Sequence, residues 1–280
     1  MLERFSSFSQ RSRRHLLYGL LSVTTALSVW AGTPQPSYAI SWVELLLQGA
    51  RVYQLSNMSD EQEVKLGKQI NQQISDQVQL YRGQEVNQYV SRIGQQLVRY
   101  SDRTDIPYKF QVVEDSSVNA FATMGGYVYV TTGLIKAADN QAQLASVIAH
   151  EIGHISSRHS VEQMRQSAIA QGVLSAAGVN QSAAVQIGVD LALQRPNSRE
   201  DEYEADVRGL RMMRKAGYAP SAMVNFFDEL KQQGGSPPTF LSDHPAVSDR
   251  VEALKQRIDS PSGGGGLNAQ AYKQQIRPLL

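Results

Sequence analysis

The sequence has 280 residues, 41% hydrophobic and 19% charged, an ordinary globular composition with length for one or two domains. It contains no cysteine, which excludes disulfides, thiolate metal sites and cysteine nucleophiles. The net charge is +1, with no basic stripe for nucleic acid, no acidic tail for a basic partner and no glycine loop to cradle a phosphate.

Residues 1–15 carry Arg4, Arg11, Arg13 and Arg14 against Glu3 alone, Leu16–Ala31 is apolar, and Ser37-Tyr38-Ala39 is a small-x-Ala pattern. A basic segment, a short apolar one and such a site describe a signal peptide over residues 1–39, cleaved after Ala39, with export to the periplasm or an equivalent envelope compartment. The alternative is an uncleaved membrane anchor. That needs about 20 apolar residues, and this stretch is shorter and interrupted by Gly19, Ser22 and Thr24. Ser12-Arg13-Arg14-His15 also resembles a twin-arginine signal. Removing residues 1–39 takes away four basic groups and one acidic one, so the remainder carries −2.

Residues 40–58 form an N-terminal segment in which Ile40–Leu55 is apolar at helical spacing, a helix to pack on the body or lie against a membrane. Ser59-Asp60-Glu61-Gln62 fits a capping box ahead of a helix marked by Val64, Ile70, Ile74 and Val78. Val86, Val90, Ile93 and Leu97 mark a second. Phe110–Val113 reads as a strand, and Asn119–Thr123 and Tyr127–Thr131 flank Gly125-Gly126 as a β-hairpin. Gln141–His159 is a strong helix. Ser167–Leu193 is rich in Ala, Gly and Ser with interspersed polar residues, which suits two close-packed helices or a mobile cover better than a membrane span. Helices follow from Ser198 to about Lys215, from Ser221 to about Lys231, and over Ser248–Ile258. Residues 261–280 read as a glycine-rich flexible linker, Gly263–Gly266, and a short tail. The fold class is α+β, a mainly helical body with one small antiparallel sheet, and the main domain spans 59–260.

His150-Glu151-Ile152-Gly153-His154 is an H-E-x-x-H motif. On a helix, positions four apart share a face about 5–6 Å apart, so two imidazoles can grip one ion. Glu151, one residue on, can hold a water beside that ion and act as general base, the zincin arrangement. A third protein ligand is needed. A metzincin would place a His where this chain has Ser160, which excludes that class, and without cysteine a carboxylate is the natural donor. Glu202 and Asp206, four apart on the helix from Ser198, face one way; one can ligate while the other holds a ligand histidine's second nitrogen. Spacing alone does not choose between Glu202, Glu200 and Glu204, although a solvated acidic first turn explains Glu200 and Asp201. His244, before Pro245, is a candidate to fill or flank the metal's open position or to stabilise an oxyanion, with Arg250 nearby.

Together these residues resemble the zinc metallopeptidase family of HtpX, Oma-type and CAAX prenyl proteases, peptidase family forty-eight, and within it the exported BepA- and LoiP-like branch. The resemblance is carried by Asn119-Ala120-Phe121-Ala122, Gly125-Gly126-Tyr127-Val128-Tyr129-Val130, Thr132-Gly133-Leu134-Ile135, His150–His154, Arg158-His159, Glu202-x-x-x-Asp206 and His244-Pro245 with Arg250. It implies a gluzincin-type fold with the sheet bordering the cleft, and one Zn²⁺ held by His150, His154 and Glu202, with Asp206 behind a ligand. It further implies Glu151 as base, His244 as a cap on the zinc, and Asn119–Ala122 as the strand edge that pairs with substrate. The expected activity is an exported zinc metalloendopeptidase acting on unfolded or misassembled envelope proteins, with no nucleic-acid partner and peripheral membrane association as a further expectation. The alternative is a chaperone-like periplasmic binding factor with a self-capped zinc site and little proteolysis.

Overall fold

The structure, a computed structural model, describes residues 58–170, 181–194, 197–232, 238–258 and 263–280. The expected signal peptide, the helix at Ile40–Leu55 and residues 171–180 of the small-residue stretch lie outside the described residues. The capping box forms as the sequence predicts: the Ser59 hydroxyl accepts from the Gln62 amide while the Gln62 side chain accepts from the Ser59 amide, opening α1 (Asp60–Gln77). Helix α2 (Gln84–Val98) buries Val86, Val90, Ile93 and Leu97 on one stripe.

Strands β1 (Lys109–Val113), β2 (Ala120–Thr123) and β3 (Tyr127–Thr131) form one sheet in the order β1-β3-β2. β2 and β3 are the predicted antiparallel hairpin, with Phe121 opposite Tyr129. Gly125 and Gly126 turn it at φ of 77° and 96°, and a Cβ on Gly126 would lie 2.4 Å from the Pro107 carbonyl oxygen, so the turn needs glycine on both counts. The sheet is mixed, not wholly antiparallel, because β1 runs parallel to β3. The chain reverses once after β1 and again at the hairpin, and β3 inserts between its two predecessors. Alternation along β3 sends Val128 and Val130 into a core with α2, while Tyr127 and Tyr129 face a second apolar cluster with Ile70 and Ile74 of α1, so both faces of the sheet are buried.

A short helix, α3 (Thr132–Ala137), which the sequence reading lacked, leads to α4 (Gln141–Ser156), the helix with the H-E-x-x-H motif. Asn140 caps α4, and every residue from Ala142 to Ser156 is buried. The expected continuation to His159 fails: Ser157 ends the helix, Arg158 takes φ 60°, and His159 begins α5 (His159–Ala170). Helix α6 (Gln181–Gln194) packs on α1, α5 and β2. Helix α7 (Arg199–Ala216), capped by the Ser198 hydroxyl, ends at a left-handed Gly217 as helices commonly do. Helices α8 (Ser221–Gln232), α9 (Thr239–Asp243), α10 (Val247–Arg257) and α11 (Ala269–Gln275) and a 3₁₀ turn at Arg277–Leu279 complete the described elements. No helix among the described residues is long and apolar enough to cross a membrane.

Gly263–Gly266 does not behave as the flexible linker expected of it. The Gly265 amide donates to the Gly217 carbonyl, its own carbonyl accepts from Ala219, and the Gly266 carbonyl accepts from Ala142 at the start of α4. Beyond it Tyr272 and Ile276 are buried, and the Tyr272 hydroxyl donates to the Ile135 carbonyl at 2.6 Å. Here glycine supplies left-handed φ at Gly264 and Gly266 rather than freedom of motion.

α4 and α7 cross where Gly153 meets Ala205: a Cβ on Gly153 would lie 2.6 Å from the Ala205 carbonyl oxygen. Gly153→Ala is therefore expected to force the helices apart and cost about 1–3 kcal/mol of stability in urea unfolding. An unchanged unfolding midpoint would contradict so tight a crossing.

Candidate metal centre

The α4–α7 crossing sets Glu202, Ala205 and Asp206 of α7 against His150, Gly153 and His154 of α4. Glu202 is fully buried, whereas Glu200 and Glu204 are exposed. Its two oxygens lie 3.3 Å from His150 Nε2 and 3.2 Å from His154 Nε2, and those nitrogens are 3.0 Å apart. His244, at the end of α9, brings Nδ1 to 3.1 Å from His150 Nε2 and 3.0 Å from Glu202 Oε1. These four residues are the only group of potential metal ligands among the described residues whose donor atoms all converge within 4.8 Å.

Zinc held tetrahedrally by imidazole and carboxylate at about 2.0–2.2 Å requires donors about 3.3–3.6 Å apart. The cage is a few tenths of an ångström tighter than that, and its donors are the N and O atoms zinc accepts. Two unprotonated imidazole nitrogens facing each other at 3.0 Å repel unless a proton or cation lies between them. The residues therefore fit a divalent metal.

Behind the cage, His150 Nδ1 donates to Asp206 Oδ1 at 2.9 Å, which leaves Nε2 as the ligating nitrogen. The placement expected of Arg250 is overturned. Its guanidinium is fully buried and donates to both Asp206 oxygens at 2.7 and 2.8 Å, to Glu202 Oε2 at 2.5 Å and to the His244 carbonyl at 3.1 Å. Committed to two carboxylates, it has no reach to a reacting oxyanion; it neutralises and orients the acids instead. His159 supplies the partner of the other motif histidine: its Nδ1 lies 2.8 Å from His154 Nδ1. The sequence marks His159 only as part of the Arg158-His159 pair that carries the family resemblance, with no role of its own, and the predicted continuous helix gave no sign of this contact.

Glu151 faces the cavity with Oε1 buried and unpaired, 3.5 Å from His244 Nε2. Burial pushes its carboxyl above the usual carboxylate range, the direction that suits a group that must take and return a proton near neutral pH. The expected substrate edge, Asn119–Ala122, borders the same cavity through Phe121 and Ala122. β2 is an edge strand, and the Ala120 carbonyl is 3.5 Å from His244 Nε2. Asn119 Nδ2 donates to Asp243 Oδ2 at 2.9 Å, tying that edge to the residue before His244. With α6 against β2, the cavity among the described residues holds about 40 Å³, room for a few waters.

Electrostatics divide the two motif histidines. Burial opposes charge on His150, but Glu202 and Asp206 outweigh it and raise its pKa to about 9. Burial dominates at His154 and lowers it to about 3. Glu202 is also disfavoured by burial, yet His244 and His150 hold it well below the usual carboxylate range. A metal entering at pH 7.5 therefore meets ionised Glu202, neutral His154 and protonated His150, and must displace one proton. Zinc binding is expected to release about one proton, seen calorimetrically in buffers of different ionisation enthalpy. Apparent affinity should rise about tenfold per pH unit and level near pH 9. Affinity independent of pH between 6 and 8 would contradict this.

A model of the family described as Peptidase family M48 matches residues 84–258. The chain is 34% identical over 188 residues to the putative beta-barrel assembly-enhancing protease of Vibrio cholerae, covering 61% of this chain and 39% of that one. It is 29% identical over 220 residues to the beta-barrel assembly-enhancing protease of Escherichia coli, with 73% and 45% covered. To the metalloprotease YcaL of Escherichia coli it is 25% identical over 254 residues, with 86% and 97% covered. The chain thus spans less than half the length of the first two relatives.

Proposed function

Because this chain belongs to peptidase family M48, we propose that it is a zinc-dependent endopeptidase in which His150, His154 and Glu202 hold one Zn²⁺. The observation that carries this is the convergence of those donors, within 3.0–3.3 Å of one another, beside Glu151, whose Oε1 has no hydrogen-bond partner. Zinc in such a cage supplies a Lewis acid and brings the pKa of water to about 7. Glu151 takes a proton from the attacking water and passes it to the leaving amine. His244 Nε2, which faces Glu151 and the Ala120 carbonyl, is the side-chain donor placed to meet the oxyanion. Asp206 and Arg250 hold His150 and Glu202 in place. An extended substrate pairs along Asn119–Ala122.

Two relatives are named for enhancing β-barrel assembly. That supports misfolded or misassembled envelope proteins as substrates, in a compartment reached through the signal read in residues 1–39. Glu151→Gln is expected to lower casein cleavage by about 10²–10⁴-fold with zinc content unchanged. Wild-type turnover in that variant would overturn the base assignment.

A second reading has its own support. His244 occupies the fourth corner of the cage, the closed coordination typical of structural zinc. In that state the protein binds clients and does not cleave them. His244→Ala separates the readings: lowered casein cleavage means that the histidine serves the oxyanion, increased cleavage means that it caps a working site, and no cleavage by either form favours the binding factor.

A further inference from the structure

The two motif histidines are supported differently. His150 leans on a carboxylate that Arg250 fixes, whereas His154 leans on another histidine. His159 is buried, its Nδ1 2.8 Å from His154 Nδ1, and its Nε2 lies 3.4 Å from Glu204 Oε2 and 3.6 Å from Asp201 Oδ1. When His154 presents Nε2 to the cage, its proton must sit on Nδ1, so His159 Nδ1 must accept it. The proton of His159 then sits on Nε2, facing the two acids. Each hydrogen has one place.

An uninterrupted helix could not make this contact. Five residues on, His159 would stand about 140° around the axis from His154. What returns it is the break at Arg158, a non-glycine residue at φ 60°, a conformation that costs about 1 kcal/mol or more and persists only where the surroundings enforce it. The surroundings here are specific. Arg158 Nη2 donates to the Met58 carbonyl at 2.6 Å, and Nε lies 3.0 Å from Glu63 Oε2. Glu63, on α1, is buried and also binds Arg103, whose Nη1 donates to the Ile155 carbonyl in the last turn of α4. Glu63 and its two arginines thus hold the last turn of α4 and the residue at the break, the Arg158 contact being an ion pair without a hydrogen bond from Nε.

We propose that His159 is a positioning residue for the metal ligand His154, and that the left-handed Arg158, gripped by Glu63, is what brings it there. This rests on the reading of His154 as a zinc ligand. The test uses the full chain loaded with zinc and follows zinc loss to excess chelator. His159→Phe keeps a ring but cannot accept from His154, and should weaken zinc by about 10–100-fold, the usual effect of losing a ligand's outer partner. His159→Asn, whose amide oxygen can accept, should recover most of that loss. Arg158→Gly accepts φ 60° without strain but loses the grip, and should also shed zinc faster than wild type. In the zinc-loaded wild type, long-range ¹H–¹⁵N spectra should show His159 protonated on Nε2. A wild type that binds no zinc removes the metal reading and this inference with it. A zinc-loaded wild type with His159 protonated on Nδ1, or a His159→Phe variant that keeps zinc equally well, overturns the role of His159 alone. Wild-type retention by Arg158→Gly overturns the part given to Glu63's grip on the turn.

Discussion

Three carboxylates, Glu151, Glu202 and Asp206, are buried within one small volume, and the only fixed positive charge among them is the Arg250 guanidinium. Unpaired charges in such surroundings cost several kcal/mol each, so this centre cannot be explained by packing alone. With all three ionised, Arg250 leaves two negative charges, which one divalent cation balances. Without the cation, Glu202 and Asp206 drive His150 towards its charged form, while burial drives Glu151 towards its neutral one. The titration of His150 and the fit of the site to a divalent cation both follow from that charge imbalance. The close crossing at Gly153 and the second role of Asp206, holding both His150 and Arg250, keep the acids where that imbalance is felt.

The motif on α4 was legible because helical period alone puts His150 and His154 on one face, and the capping box and hairpin were legible for equally local reasons. What local pattern could not choose was the third donor. Glu200, Glu202 and Glu204 stand on the same first turns, and Glu202 is selected by contact with a distant helix, at Gly153 against Ala205. The same limit explains Arg250. Its proximity to His244 in sequence suggested a group facing the reaction, whereas in space two carboxylates claim its donors. His159 was hidden further, because no glycine marks the turn at Arg158; its left-handed φ is imposed by Glu63, ninety-five residues earlier in the chain. The glycines at 263–266 misled in the opposite way, their backbone range being used for fixed geometry.

The state described is closed on two sides. His244 stands where a catalytic zinc site keeps an open position, and α6 packs on the sheet beside β2, the strand that a substrate would extend. The anchors of these two covers are unequal. His244 is linked through its carbonyl to Arg250 and through Asp243 to Asn119, so its displacement would disturb both the acid cluster and the substrate edge.

X-ray absorption at the zinc edge of the purified full chain addresses the charge-balanced cage most directly. One zinc per chain is predicted, in a four-coordinate shell of nitrogen and oxygen at about 2.0–2.1 Å with the multiple scattering of imidazole rings. A shell of oxygen alone, or a chain that takes up no zinc, would contradict the account.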